Sequence, residues 1–202
     1  MKYHHGNLKE KLIASAYQWI VDNGTDGFSL RKIAKIAKVS QTAPYRHFQS
    51  KEHFLAEVTQ LGFENFLSNM KKEKRNSDPV KDLVNISLSY IDFGLKNKNI
   101  ISLMFDYPLT KSKYPNLLKS ANDSFAYLQE KIKILQKNNK EKAQINAIAI
   151  HAYTHGLLNI VQMNQRIDPI EKAIVSDFYR ASSEASNHLK KMLTDFVKKQ
   201  DF

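Results

Sequence analysis

Between Phe28 and Phe54 the chain reads FSLRKIAKIAKVSQTAPYRHFQSKEHF. Its polar side chains are of types that grip a surface rather than make and break bonds. Arg31 offers a forked guanidinium and Gln41 a carboxamide that both donates and accepts. Those two groups match the edges of guanine and adenine in a major groove. Ser29, Tyr45, His47 and Lys51 add hydroxyl, imidazole and ammonium groups, the chemistry that meets phosphate oxygens. Thr42 can either reach a base edge or spend its hydroxyl as a helix cap.

The elements that must position these groups can be read from spacing. Ser29 is placed to cap a short helix whose buried face is Leu30, Ile33, Ala34 and Ala37, with Arg31, Lys32 and Lys35 on the wet side. Val39 plugs the turn that follows. Ser40 or Thr42 is expected to cap a second short helix with Gln41, Thr42 and Ala43 at its exposed tip. Pro44 falls in the first turn of that helix, where its missing N–H costs little. Phe48 returns to the core, and Ser50 caps the helix that starts at Lys51. One bracing and one projecting helix, joined by a tight turn, can seat a helix in a groove of DNA.

This segment resembles the N-terminal DNA-binding domain of TetR-family transcriptional regulators. The matching positions are Ser29, Arg31, Ile33, Ala34, Ala37, Val39, Ser40, Tyr45, His47, Phe48 and Lys51, in order and at the family's spacing. Lys38 departs from the pattern by standing at the turn position where the family has glycine. If it takes positive φ, the strain costs about 1 kcal/mol. The opening Tyr3-His4-His5-Gly6-Asn7-Leu8 and the run Ala43 to Phe48 are similar to the branch with a WHG-type C-terminal domain. His155-Gly156 matches that signature, but Thr154 replaces its tryptophan. The resemblance implies that Arg31, Gln41 and Thr42 read bases and that Ser29, Tyr45, His47 and Lys51 hold phosphates.

Composition points the same way. The chain has 202 residues, 42% hydrophobic and 10% aromatic, with six glycines and five prolines, which suits a helical globular protein. Its net charge is +11. Residues 1–56 hold nine Lys and Arg against four Asp and Glu, so positive charge is densest around the candidate DNA-binding segment. Cysteine is absent, which excludes disulfides and thiolate metal sites. No charged leader precedes an apolar stretch, and no apolar run approaches ~18 residues, so a soluble cytoplasmic protein is expected.

Helical periodicity continues almost throughout. Leu8, Leu12, Ile13, Ala16 and Ile20 make a first helix with a capping-box start at Asn7 and Glu10. From Lys51 a longer helix runs to about Met70, and the charged stretch 71–76 ends it. Further helices are expected from Asp78-Pro79, over the apolar run Ile100 to Phe105, from about Asn116 to Lys137, and from Lys140 to about Gln165. Asp168-Pro169-Ile170-Glu171 reads as the start of one last helix running towards Lys198. The expected fold is all-α: a helix-turn-helix domain over 1–54, a linking helix over about 51–75, and a C-terminal helical bundle over 76–202.

For that bundle the resemblance implies a small-molecule effector and a homodimer through the last two helices. Ala147, Ala149, Ala152, Gly156, Ala173, Ala181 and Ala185 supply small side chains for close approach. Tyr90, Phe93, Met104, Phe105, Phe125, Tyr127, Tyr153 and His155 are candidates to line a ligand pocket, although aromatics at this spacing pack cores as readily. His151 and His155 share a helix face at i, i+4. Ala152 stands where a zincin motif has Glu and no third ligand is near, so neither metal nor cofactor is expected. Gly-rich phosphate loops, nucleophile elbows and paired carboxylates are absent, so the chain is not read as an enzyme. The reading is a ligand-responsive repressor binding a pseudo-palindromic operator as a dimer. The alternative is an architectural protein that coats DNA without regard to sequence.

Overall fold

The computed structural model describes residues 5–72, 76–136, 139–166 and 177–200. Among them are nine α-helices: α1 (His5–Asn23), α2 (Leu30–Ile36), α3 (Lys51–Lys72), α4 (Pro79–Lys96), α5 (Lys98–Phe105), α6 (Pro115–Leu135), α7 (Lys140–Arg166), α8 (Asp177–Asn187) and α9 (Leu189–Lys199). Two 3-10 turns, Ala43–Arg46 and Lys111–Lys113, complete the order. None of the described helices is long and apolar enough to cross a membrane.

The chain divides into two compact units that are not consecutive in sequence. The first comprises residues up to Phe66 together with Asn97–Ser124, and the second Leu67–Lys96 together with Phe125 onward. In the first unit, Leu12, Ala16 and Ile20 of α1 are fully buried at helical spacing, as their periodicity predicts. Helix α1 packs on α2, and Leu30, Ile33 and Ala34 of α2 and Phe54, Leu55 and Val58 of α3 are buried in the same unit. Rings lock that core. Phe48 stacks on Phe54 at 4.0 Å and 8°, and Phe28 meets Phe54 edge-on at 5.5 Å. Each such pair contributes about 0.5–1.5 kcal/mol beyond its burial. Helix α5 closes the unit: the Asn99 amide donates to the Val21 carbonyl at 2.9 Å, and Gly62 of α3 admits Ile100 and Met104 where a Cβ would lie 3.1 Å from each.

In the second unit, α4 packs on α7 and α9, and α8 on α7. Asp78 caps α4 through Val80 N–H at 2.9 Å, matching the Asp-Pro start. Gly94 allows α7 to approach closely, since a Cβ there would come within 2.4 Å of Leu158, and Gln162 donates to the Gly94 carbonyl at 3.1 Å. Asp82 and Lys131 form a largely buried ion pair at 2.7 Å between α4 and α6.

Three expectations change. Helix α1 begins at His5, ahead of the expected Asn7 cap. Segment 109–115 contains a 3-10 turn rather than being wholly loop, and α6 starts at Pro115. The last helix is two, interrupted at His188, whose φ of −118° and ψ of 18° leave the helical well. Serines explain a weak point there. Ser182 and Ser186 turn their hydroxyls onto Asn164 of α7, and Ser186 also bonds the Ser182 carbonyl at 3.0 Å, competing with the backbone ladder. The expected start at Asp168 to Glu171, and Ala173, lie outside the described residues.

Candidate nucleic-acid interface

The surface formed by α2, its turn and the 3-10 turn 43–46 is cationic without interruption. From Phe28 to Lys51 the sequence holds Arg31, Lys32, Lys35, Lys38, Arg46 and Lys51 and no carboxylate. All six are exposed, and among the described residues none is paired with an acid. Two are steered by rings instead: the Lys32 ammonium lies 4.9 Å from the Trp19 centroid and that of Lys51 5.9 Å from Phe28.

Local chemistry explains how the backbone delivers this face. Ser29 is extended at φ −150° and its hydroxyl accepts the Lys32 N–H at 3.2 Å, capping α2. At the other end Val39 N–H reaches the Ala34 carbonyl at 3.0 Å and Lys38 N–H the Lys35 carbonyl at 3.1 Å. That is a Schellman closure, and it requires the residue after the cap to be left-handed. Lys38 takes φ +56°, the strained conformation foreseen for it.

The projecting element differs from expectation. It is a four-residue 3-10 turn, Ala43–Arg46, rather than a regular α-helix. Pro44 sits at its first positions, and the Pro44 carbonyl accepts from both His47 and Phe48 at 2.9 Å. Thr42 makes no side-chain cap; its hydroxyl lies 3.3 Å from that of Ser40. Ala43, expected at the exposed tip, is 6% exposed, because the tighter 3-10 winding turns it and Pro44 inward. Gln41 and Thr42 are exposed, and Tyr45 is 56% exposed despite its aromatic bulk. His47 is half-buried against Phe48, with ring centroids 6.2 Å apart. Arg31 is exposed on α2.

Behind the turn lies a residue that sequence reading passed over. Ser50 accepts the His53 N–H at 3.0 Å, and His53 Nδ1 accepts the Gln49 N–H at 3.2 Å. The two side chains thus close the start of α3 together, a variant of the capping box in which His53 holds the N–H of Gln49, the residue before the cap, and not that of Ser50 itself. The signal was present as Ser50 followed three residues later by His53.

The pocket candidates fall in both compact units. Met104 and Phe105 belong to the first unit, where Met104 packs at Gly62 and Phe105 meets Phe63 edge-on at 5.7 Å. In the second unit Tyr153 stacks on Phe196 at 4.0 Å, Tyr127 lies beneath the ammonium groups of Lys71 and Lys131, and Phe93 is buried. Tyr90, Phe125 and His155 come together around His151. Tyr90 Oη lies 2.8 Å from His155 Nδ1, and the His151 ring stands 5.6 Å from Tyr90 and 6.5 Å from Phe125. Burial, reinforced by His155, holds the His151 pKa below its usual 6.5. Among the described residues the buried Thr154 hydroxyl, also on α7, has no hydrogen-bond partner. Among the described residues no cluster of three or more His, Asp or Glu could hold a metal.

The family model for bacterial regulatory proteins of the tetR family matches residues 12–58, which run from within α1 through α2 and the 3-10 turn into the start of α3. An HTH-type transcriptional regulator of Staphylococcus aureus (strain bovine RF122) is 22% identical over 174 residues, covering 75% of this chain and 91% of its own length. A protein of unknown function from Rhodococcus sp. RHA1 superposes with a TM-score of 0.71 at 21% identity, covering 96% of this chain and 99% of that one. A TetR variant from Acinetobacter baumannii AYE, solved with minocycline, superposes at 0.62 with 20% identity, covering 94% and 90%.

Proposed function

We propose that this chain, which belongs to the TetR family of transcriptional regulators, works as a homodimeric repressor released from its operator by a small molecule. The observation that carries the reading is the acid-free cationic face with Gln41, Thr42 and Tyr45 exposed at its tip. In it, Arg31, Gln41 and Thr42 meet base edges while Ser29, Tyr45, His47 and Lys51 meet phosphates. Residues 1–54 act as the reading domain and 76–202 carry effector binding and dimerisation, although 97–124 of them belong to the compact unit that holds the reading domain. The work is done in the cytoplasm, where the DNA is.

A single reading head makes few contacts, and a two-fold pair doubles them on a pseudo-palindrome. Helix α7 offers a face for such a pair. Ile145 and Ile148 are 61% and 55% exposed, Ala152 is exposed, and a Cβ on Gly156 would meet nothing within 4 Å. On α8 Ala181 is exposed and Ala185 half-exposed. Ala147 does not contribute, being wholly buried within its own protomer. The effector would bind best to a form whose two heads no longer fit the groove spacing, so DNA affinity falls by linkage. The cluster around His151 supports a polar contact to that effector, and the minocycline-bound TetR supplies a family precedent. His155-Gly156 supports a place near the WHG branch.

Selection of bound fragments from random DNA, followed by competition binding at fixed salt, tests the reading. Gln41→Ala should relax sequence choice, whereas Lys51→Ala should weaken all sequences alike and reduce the salt slope by about 1. Equal behaviour of the two variants would favour an architectural DNA-coating protein. An effector screen that leaves operator affinity unchanged would remove the ligand switch.

A further inference from the structure

We propose that His53 is a positioning residue for DNA recognition, holding the exit of the 3-10 turn and tying it to the segment before α6. The inference rests on the DNA-reading role of that turn. His53 accepts the Gln49 amide at 3.2 Å, so the first backbone N–H after Phe48 is held by its Nδ1. An accepting Nδ1 places the ring proton on Nε2, which faces Glu57 Oε1 at 3.5 Å. Glu57 is in turn held by Lys9 of α1 at 2.8 Å. The same ring meets Phe48 edge-on at 5.9 Å and lies nearly parallel to Tyr114, 13° apart in plane and 5.9 Å between centroids. The imidazole therefore touches the chain leaving the reading turn on one side and segment 111–115 on the other.

A cleft of about 260 Å³, lined by Gln49, His53, Glu57, Gln60, Lys113 and Tyr114, leaves room for Tyr114 to swing away. When it does, the ring loses its stacking partner and is freed to rotate. The Gln49 amide then loses its acceptor, and the turn bearing Tyr45 loses one anchor. All of these groups lie in the first compact unit, so the linkage is local.

The test is a fluorescence titration of the selected operator, and of a scrambled duplex, with single and double variants. His53→Ala should weaken operator binding about tenfold, the loss of one hydrogen bond at a position that orders the turn. It should weaken scrambled DNA much less. His53→Gln, which restores an acceptor, should recover most of the affinity. Tyr114→Phe keeps the stack and should bind as wild type, whereas Tyr114→Ala should match His53→Ala, and the double variant should be no worse than either. Unchanged affinity in His53→Ala, failure of His53→Gln to rescue, or strict additivity of the double variant would each overturn the proposal. If His53→Ala fails to fold, His53→Gln and Tyr114→Ala decide: wild-type affinity in the first with weakening in the second supports it, and any other pattern overturns it. A wild-type chain that binds operator and scrambled DNA alike would instead overturn the DNA-reading role itself.

Discussion

Lys38 bears a side chain at a backbone position suited to glycine. Its φ of +56° closes the end of α2 through the two hydrogen bonds from Lys38 and Val39, so the conformation is imposed by the turn and not by lysine's preference. Lys38→Gly should therefore raise folding stability by about 1 kcal/mol, read as a higher urea midpoint at unchanged slope. A lower midpoint would mean that the lysine stem packs more than its exposure suggests. This strain was legible in sequence through the resemblance, because Lys38 stands at the turn position where the family has glycine. The inward turn of Ala43 was not. Spacing alone cannot tell a 3-10 turn from the first turn of an α-helix, and it was the tighter winding at Pro44 that buried its neighbour. His53 was half legible: its bond with Ser50 follows from local spacing, whereas its stack on Tyr114, far away in the chain, does not.

At the scale of the element, α4 and α7 set the interior of the second unit. The close approach at Gly94 and the ring cluster of Tyr90, His151 and His155 occupy the same pair of helices. Burial disfavours the His151 imidazolium first, and His155 adds to the effect, so the folded protein binds that proton more weakly than the unfolded chain. Stability from this site is thus complete above the usual value of 6.5 and is lost as pH falls through the depressed folded pKa. Thermal midpoints measured downward from about pH 7.5 should fall below pH 6.5, and His151→Gln should flatten that limb. A parallel pH profile in the variant would assign the fall to other groups. Helix boundaries such as Pro79 and Lys140 followed from caps and periodicity, whereas the break at His188 did not. It coincides with serines bonded to Asn164 on another helix, a long-range contact that local spacing does not encode.

For the whole molecule, the apolar side chains on α7 divide between a buried and an exposed face, and in the proposed homodimer the exposed face would set how many reading heads meet the DNA at once. Ala143, Ala147, Ile150, Leu157 and Leu158 are buried within the protomer, while Ile145, Ile148 and Ala152 face outward on the same helix. Two large exposed isoleucines on one stripe of small residues are a poor surface for a free monomer and a good one for a two-fold contact with a second copy. Ile148→Asp places a charge at the centre of that stripe without disturbing the buried face. The variant should sediment as a folded monomer with unchanged helical content. Its affinity for a full pseudo-palindrome should drop to that for a half-site, because the second head no longer arrives at the effective concentration set by the first. Half-site binding itself should be unaltered, since the cationic face and Gln41 are untouched. A variant that remains dimeric would move the interface off α7. Retention of full-site affinity by a proven monomer would show that pairing contributes nothing to operator choice.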